Sequence, residues 1–386
     1  MFFVYFLGTS LIYLFLLRIV LSRSKYKFRF PLLKYAAVFV VIYIIASFLS
    51  DHFYTSLWGY YTRFNGGLVS VLVFFGLYVV AVNVLKREDV SFLVNVVLVS
   101  VIPISIYGIL QHYSIFEDFW KVDSALRVFS TFGQPNWLAA YLAMVLPVAL
   151  YKTLSDHDRR RIWAVLFLVG FLCLWFTYSL SGTAGLAGGV VLFVYLNLPL
   201  VKNELKTAAV ILVAAALIAV LNPGIYTQRL KDVFVDVQKT ISVHTIVWAQ
   251  EENIISDPGF IRTGLWKGTV RLALSSPKIF LIGTGPGTFP YEFSGFREPS
   301  LNYSSEWDFI FNKPHNYYLE LFSEIGILGL ASYLILMLKT IKRPHPYLVP
   351  ALTGFYITNI FGWPVVSTAL LFWMFLAFLE IEYESN

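Results

Sequence analysis

From Trp137 to Leu180 the chain reads WLAAYLAMVLPVALYKTLSDHDRRRIWAVLFLVGFLCLWFTYSL. Two apolar runs, Trp137–Leu154 and Ile162–Leu180, flank a short hinge that gathers Lys152, Arg159, Arg160 and Arg161. Crossing the hydrocarbon of a bilayer takes about 17–25 residues of helix, and each run supplies that length. A hinge so rich in Lys and Arg is what a loop retained on the cytoplasmic side carries. The stretch therefore reads as a transmembrane helical hairpin with its hinge inside.

Outward from this hairpin the pattern repeats in both directions. Before it come Phe2–Leu21, Tyr35–Ser50, Leu68–Leu85 and Ser91–Leu110; after it come Thr183–Leu200, Thr207–Leu221, Tyr317–Leu338, Tyr347–Phe361 and Val365–Leu379. The expected fold is all-α: a polytopic membrane protein of about eleven transmembrane helices. Composition agrees, because only 13% of residues are charged while 58% are hydrophobic, and a soluble domain carries roughly 25% charged residues to face water. The net charge of +6 does not point to nucleic acid, since the basic residues sit in short clusters between apolar runs and act there as topology signals. The single cysteine, Cys173, lies within an apolar run, which argues against an intrachain disulfide or a thiolate metal site. The first run lacks a basic leader and a small-residue cleavage site, so it is expected to be a retained helix.

Basic residues alternate from loop to loop. Arg23, Lys25, Lys27, Arg29 and Lys34 form one cluster, Lys86 and Arg87 another, and Lys202 with Lys206, then Lys339, Lys342 and Arg343, complete the series begun by the hinge. The intervening short loops hold only Arg63, then Lys121 and Arg127. By the positive-inside rule the basic series is cytoplasmic, which places the N-terminus outside and the C-terminus inside. The chain is thus expected to divide into a transmembrane bundle at 1–221, an extracytoplasmic loop domain at 222–315 and C-terminal transmembrane helices at 316–386. That loop is far longer than a connector needs to be. Its Trp248, Trp266 and Trp307 argue for a folded helical unit on the outer face.

Within the loop, Phe260–Ser276 spaces Ile261, Leu265, Thr269 and Leu272 as one face of a helix, with Lys267 and Arg271 four apart on another and Arg262 in a different sector. Such cations either snorkel at the membrane interface or hold an anionic headgroup, which Arg does bidentately. At the loop's end, Lys313-Pro314-His315-Asn316 opens the next apolar run. A histidine there either makes an ordinary helix-start contact or acts as a base, being neutral near pH 7 and able to take a proton. Glu320 and Glu324 follow inside that run, where carboxylates are costly and serve either an ion pair or function. The segment Gly283-Thr284-Gly285-Pro286-Gly287 resembles a phosphate loop but lacks the surrounding strand and helix, so it reads as a tight turn. Ser179–Gly182 reads as a small-residue turn between two close helices. Neither a metal-ligand cluster nor a nucleophile–base pair stands out.

In order along the chain, these residues resemble the O-antigen ligase family. The resemblance is carried by Gly59–Gly66, by Arg127–Asn136, by Arg262-Thr-Gly-Leu-Trp266, by Gly283–Phe289 and by His315-Asn316-Tyr-Tyr-Leu-Glu320-Leu-Phe-Ser-Glu324-Ile-Gly326. It implies a GT-C-like helical bundle, without metal or other cofactor, in the inner (plasma) membrane. Such an enzyme moves a glycan from an undecaprenyl-diphosphate carrier to an acceptor hydroxyl on a glycolipid, glycan or protein, with inversion at the anomeric carbon. Ligase and repeat-unit polymerase share that chemistry, while a lipid-linked glycan transporter is the reading from another class. The resemblance assigns His315 as the base and Arg262 to the diphosphate. Arg63, Arg127, Asn136, Lys267, Arg271 and Glu324 are the substrate-binding candidates. One departure stands out: where many members carry an arginine between the sixth and seventh helices, this chain has Gly182.

Overall fold

The computed structural model describes residues 1–22, 31–61, 63–115, 119–120, 125–223 and 258–384. The basic run 23–29, Lys121, and the part of the expected outer loop that holds Trp248 lie outside the described residues. Those described form an all-helical protein. In chain order its helices are α1 (Phe2–Ser22), α2 (Leu33–Phe48), α3 (Phe53–Trp58), α4 (Leu68–Val84), α5 (Arg87–His112), α6 (Pro135–Ser155), α7 (Arg160–Phe176) and α8 (Leu180–Leu196). There follow α9 (Leu198–Asn203), α10 (Leu205–Leu221), α11 (Pro258–Ala273), α12 (Pro277–Ile282), α13 (Phe289–Glu292), α14 (Tyr317–Ile341), α15 (Leu348–Thr358) and α16 (Val366–Glu384). A helix occupies each segment expected to span. Five helices, α1, α5, α6, α14 and α16, are long and apolar enough to cross a membrane, and α2, α4, α8, α10 and α15 are shorter apolar helices. The chain is a multi-pass membrane protein.

Helix α6 is the buried axis. Every residue from Tyr141 to Leu150 is buried, and α7, α8 and α15 pack around it. Small residues set how closely they approach, because without a hydrophobic drive in lipid the helices associate by tight packing. A Cβ on Gly182 would fall 2.4 Å from the Ala139 Cβ, and one on Gly354 would meet the Ala143 carbonyl oxygen at 2.6 Å. Around this centre α14 packs on α2, α16 on α4, α1 on α4 and α10 on α7.

The bundle has two chemically distinct ends. At one, Arg343 bonds to the buried Glu380 at 2.7 Å, Arg87 to Glu382 at 2.8 Å and Arg160 to Glu204 at 2.8 Å. This is the end that carries the basic loops. The opposite end gathers the loops with Arg63, Arg127 and Thr177, together with α11 to α13 and the start of α14. There α11 buries Ile261, Leu265, Thr269 and Leu272, the face expected from their spacing, against Phe289, Phe293 and Leu301.

Three differences from the sequence reading shape that end of the bundle. Helix α8 starts at Leu180 because Ser179 caps it, its Oγ accepting from the Gly182 N–H at 3.3 Å. Helix α15 stops at Thr358, since Gly362 and Pro364 cannot extend it, and the residues beyond form a loop that carries Trp363. The run Tyr317–Leu338 is not one continuous helix: α14 breaks at Gly326, which has φ 70°. The Gly283–Gly287 turn fills the break. Thr284 and Gly285 donate backbone N–H bonds to the carbonyls of Ser323 and Glu324 at 3.0 and 2.8 Å. A break at membrane depth survives only where protein satisfies the freed groups in this way.

Candidate active site

His315 sits at the junction of α11 and α14, and both of its flanks are fixed. On one side Trp266 of α11 donates its indole N–H to the Pro314 carbonyl at 3.1 Å, and Lys313 is buried in an ion pair with Glu320. On the other, Asn316 caps α14 by accepting from the Leu319 N–H at 3.1 Å, and Tyr317 N–H reaches the Asn359 carbonyl at 2.9 Å. Held between these anchors, His315 takes a left-handed backbone with φ 56°. That conformation costs a non-glycine residue about 1–3 kcal/mol and persists only where its surroundings impose it. All five left-handed non-glycine residues among those described lie at this end: Phe64, Ser114, Ser130, Tyr178 and His315.

The half-buried imidazole packs edge-on against Trp363, with centroids 5.0 Å apart. It shares a small polar cavity with Gln134, Asn136, Ser181 and Asn359, and its nitrogens bond to no described residue. Burial, then the charges of Arg262 and Arg63, push its pKa down to about 4. The structure therefore brings three candidates within electrostatic reach of one another: His315, Arg262 and Arg63. At neutral pH the histidine is an uncharged acceptor flanked by two cations.

Arg63 is held by rings rather than by a carboxylate. Its guanidinium lies 5.0 Å from the Trp137 centroid and 5.2 Å from that of Trp363, each contact contributing about 0.5–2 kcal/mol according to its desolvation. Its Nη1 is buried without a hydrogen-bond partner among the described residues. Burial lowers its pKa and the charge of Glu320 partly offsets this. Arg262, on α11, also acts on Glu306, whose carboxyl burial raises and Arg262 lowers, with burial the larger effect.

Arg127 is anchored by its neighbours. Its Nε donates to the Thr177 carbonyl at 3.0 Å and its Nη2 to Asn136 Oδ1 at 3.1 Å, an oxygen that also accepts from the Ser179 hydroxyl at 2.8 Å. Arg127 and Asn136 thus meet the turn between α7 and α8, close to Gly182. An arginine at 182 itself would collide with Ala139 and Leu174.

The remaining candidates lie elsewhere. Arg271 pairs with Glu298 at 2.7 Å, and Lys267 is exposed; neither is among the cations acting on His315. Glu324 is buried in the fold, with Oε1 3.6 Å from Lys313 Nζ and Oε2 accepting from the Gly287 N–H at 2.8 Å. The Gly283–Gly287 turn is occupied in the same way, its amides spent on Glu324 and the broken helix. Burial alone would lower the Lys313 pKa, but Glu320 and Glu324 outweigh it and hold the ammonium above its ordinary value. Sequence reasoning missed Trp137, Trp363 and the role of Lys313. Trp363, between Gly362 and Pro364 at the end of a span, was the available signal.

With this geometry in place, comparison with known families gives a direct answer. Residues 164–334 match the O-antigen ligase family. That match supports the resemblance over the stretch that holds the Arg262–Trp266, Gly283–Phe289 and His315–Gly326 motifs. The O-antigen ligase region runs from early in α7 through the first two-thirds of α14, so it contains Arg262 and His315 and leaves Arg63, Arg127 and Asn136 outside. That match supports a membrane glycan transferase of the ligase or polymerase type acting on lipid-linked glycan. No curated protein matches the chain.

Proposed function

We propose that this protein transfers a glycan from an undecaprenyl-diphosphate carrier to an acceptor hydroxyl at the outer face of the plasma membrane, with inversion and without a metal. The observation that carries this reading is a neutral imidazole, with no bond to a described residue, in a polar cavity beside two guanidinium groups. In the proposed step the acceptor oxygen attacks the anomeric carbon, and the bond from that carbon to the diphosphate oxygen breaks. The bonding pair leaves with the carrier diphosphate, and the acceptor proton passes to His315. A positioned base contributes roughly 10²–10⁴ in rate, and cations fixed in a water-poor site stabilise the departing charge with little reorganisation.

Arg262 and Arg63 are the proposed diphosphate partners beside the base. Arg127 supplies a third guanidinium at the α7–α8 turn, where this chain has Gly182 in place of the arginine expected from the family. An anion bound there would raise the pKa of His315 towards neutrality, since an opposite charge favours the protonated form. The free protein therefore holds the base ready, and the loaded protein strengthens it. The proposed topology has the N-terminus outside, the C-terminus in the cytoplasm, and the 222–315 unit on the outer side between the 1–221 bundle and the helices of 316–386.

The test is transfer by purified protein from a polyprenyl-diphosphate glycan to a soluble acceptor, with the anomeric configuration of the product read by NMR. Inversion with full activity in EDTA is expected. Retention of configuration, or a loss in EDTA that is restored by a divalent cation, would reject this mechanism.

A further inference from the structure

Across the Trp363 ring from His315 lies a second and larger chamber, which opens to solvent. Its walls are aromatic, with Tyr317, Tyr333, Phe372 and Trp373 among them, and Arg63 and Glu320 also line it. Glu320 is only 6% exposed, and although its Oε1 meets Lys313, its Oε2 has no hydrogen-bond partner among the described residues. Arg63 Nη1 is likewise buried, with no hydrogen-bond partner among the described residues. One chamber is thus lined by an acidic and a basic side chain, each with a buried atom that has no hydrogen-bond partner among the described residues. Buried groups of this kind call for a ligand or ordered water, and ionisable residues within a span mark substrate sites.

The two unsatisfied atoms discriminate among ligands. A hydrocarbon tail would fill the aromatic space and leave both atoms unsatisfied. A phosphate would suit Arg63 but bring its charge against Glu320 and Glu324. A neutral ring bearing hydroxyls satisfies all three demands: a flat face for the aromatic wall, an O–H for Glu320 and an oxygen for Arg63. We propose that this chamber is a sugar subsite, with Glu320 and Arg63 as its polar contacts. The assignment deepens the transferase reading, on which it rests for the source of the sugar: the transferred glycan or its acceptor.

The test titrates the full chain in lipid nanodiscs with free hexose, N-acetylhexosamine and deoxyhexose disaccharides, while tryptophan fluorescence reports on Trp363 and Trp373. At least one sugar is expected to give a saturable change. Glu320→Gln should weaken it about tenfold or more, the value of a hydrogen bond to a charged group. Ala369→Phe, which fills the chamber from a wall position that carries neither charge, should weaken it at least as much and decides the matter if Glu320→Gln does not fold. In transfer assays Ala369→Phe then raises the KM of whichever substrate, donor or acceptor, owns the sugar. Absence of a saturable response to every sugar overturns the assignment. So does binding of undecaprenyl monophosphate that displaces the sugar and is lost in Ala369→Phe, which would make the chamber a lipid-tail site. Saturable sugar binding without transfer would fault the base assignment, and transfer without a saturable sugar response would fault the subsite, so the two failures are separable.

Discussion

At His315 a left-handed backbone, an aromatic wall and two guanidinium groups act on the same imidazole. The electrostatic part can be measured directly. In the free protein His315 should titrate near 4, and Arg262→Ala should raise that value by removing a like charge, while burial still keeps it below the ordinary 6.5. A histidine-selective NMR titration checks this, and an unchanged pKa would separate Arg262 from the base. The acid limb of kcat/KM should follow the free protein, with activity lost as pH falls through the His315 pKa, because only the neutral ring accepts a proton. Arg262→Lys should lose most transfer, at least about tenfold, since an ammonium cannot reproduce a two-pronged grip on phosphate oxygens; near-normal kinetics would return Arg262 to a surface role. His315 and Arg262 stood out in the sequence as candidates because each sits in a motif of distinctive spacing, and the fold brings them within electrostatic reach of each other. Trp137 and Trp363 were not, because a tryptophan near a span end is common at any membrane interface, and only the folded chain shows Arg63 lying against both.

Among the elements, α14 departs furthest from its sequence pattern. Its apolar composition is that of an ordinary span, and that signal is blind to a break whose cause lies in a turn forty residues earlier. Gly326→Ala would put a Cβ 2.3 Å from the Leu281 backbone in a left-handed conformation. It should lower stability by about 2 kcal/mol or more. Gly133→Ala is the control, since Gly133 has the same sign of φ, at 78°, and nothing within 4 Å of the added carbon; it should cost only about 1–2 kcal/mol. Thermal melts in detergent compare the two, and equal losses would mean that the Gly283–Gly287 turn does not hold the break. The same turn explains Glu324: the sequence left open whether that carboxylate serves structure or substrate, and its contacts with Lys313 and Gly287 favour structure. Lys313→Met would leave Glu320 and Glu324 without their cation, at a cost of about 3–5 kcal/mol. Adding Glu320→Gln should recover part of the loss, and the absence of any recovery would show that the pair is not coupled.

For the whole molecule, the basic ends of the helices and the cluster of strained loops lie at opposite ends of one bundle. The all-helical membrane class was legible from apolar run length alone, and helices occupy the expected segments. The convergence of loops near 63, 127, 178 and 315 was not legible, because it depends on which helices neighbour one another, and small-residue crossings such as Gly182 on Ala139 settle that. If the basic end is cytoplasmic, a cysteine introduced at Ser305 should react with an impermeant thiol reagent in cells whose outer envelope, if present, is opened, and one at Asp156 should not. The reverse pattern would move the chemistry to the wrong side of the membrane. The proposed mechanism turns on one proton transfer, so the most direct measurement is the transfer rate of purified His315→Gln with carrier-lipid binding measured in parallel. Glutamine keeps a hydrogen-bonding group at the site but cannot accept a proton at neutral pH. Transfer should fall by about 10²-fold or more with donor binding intact. Transfer at a rate comparable to the wild type would contradict the assignment of His315 as the base.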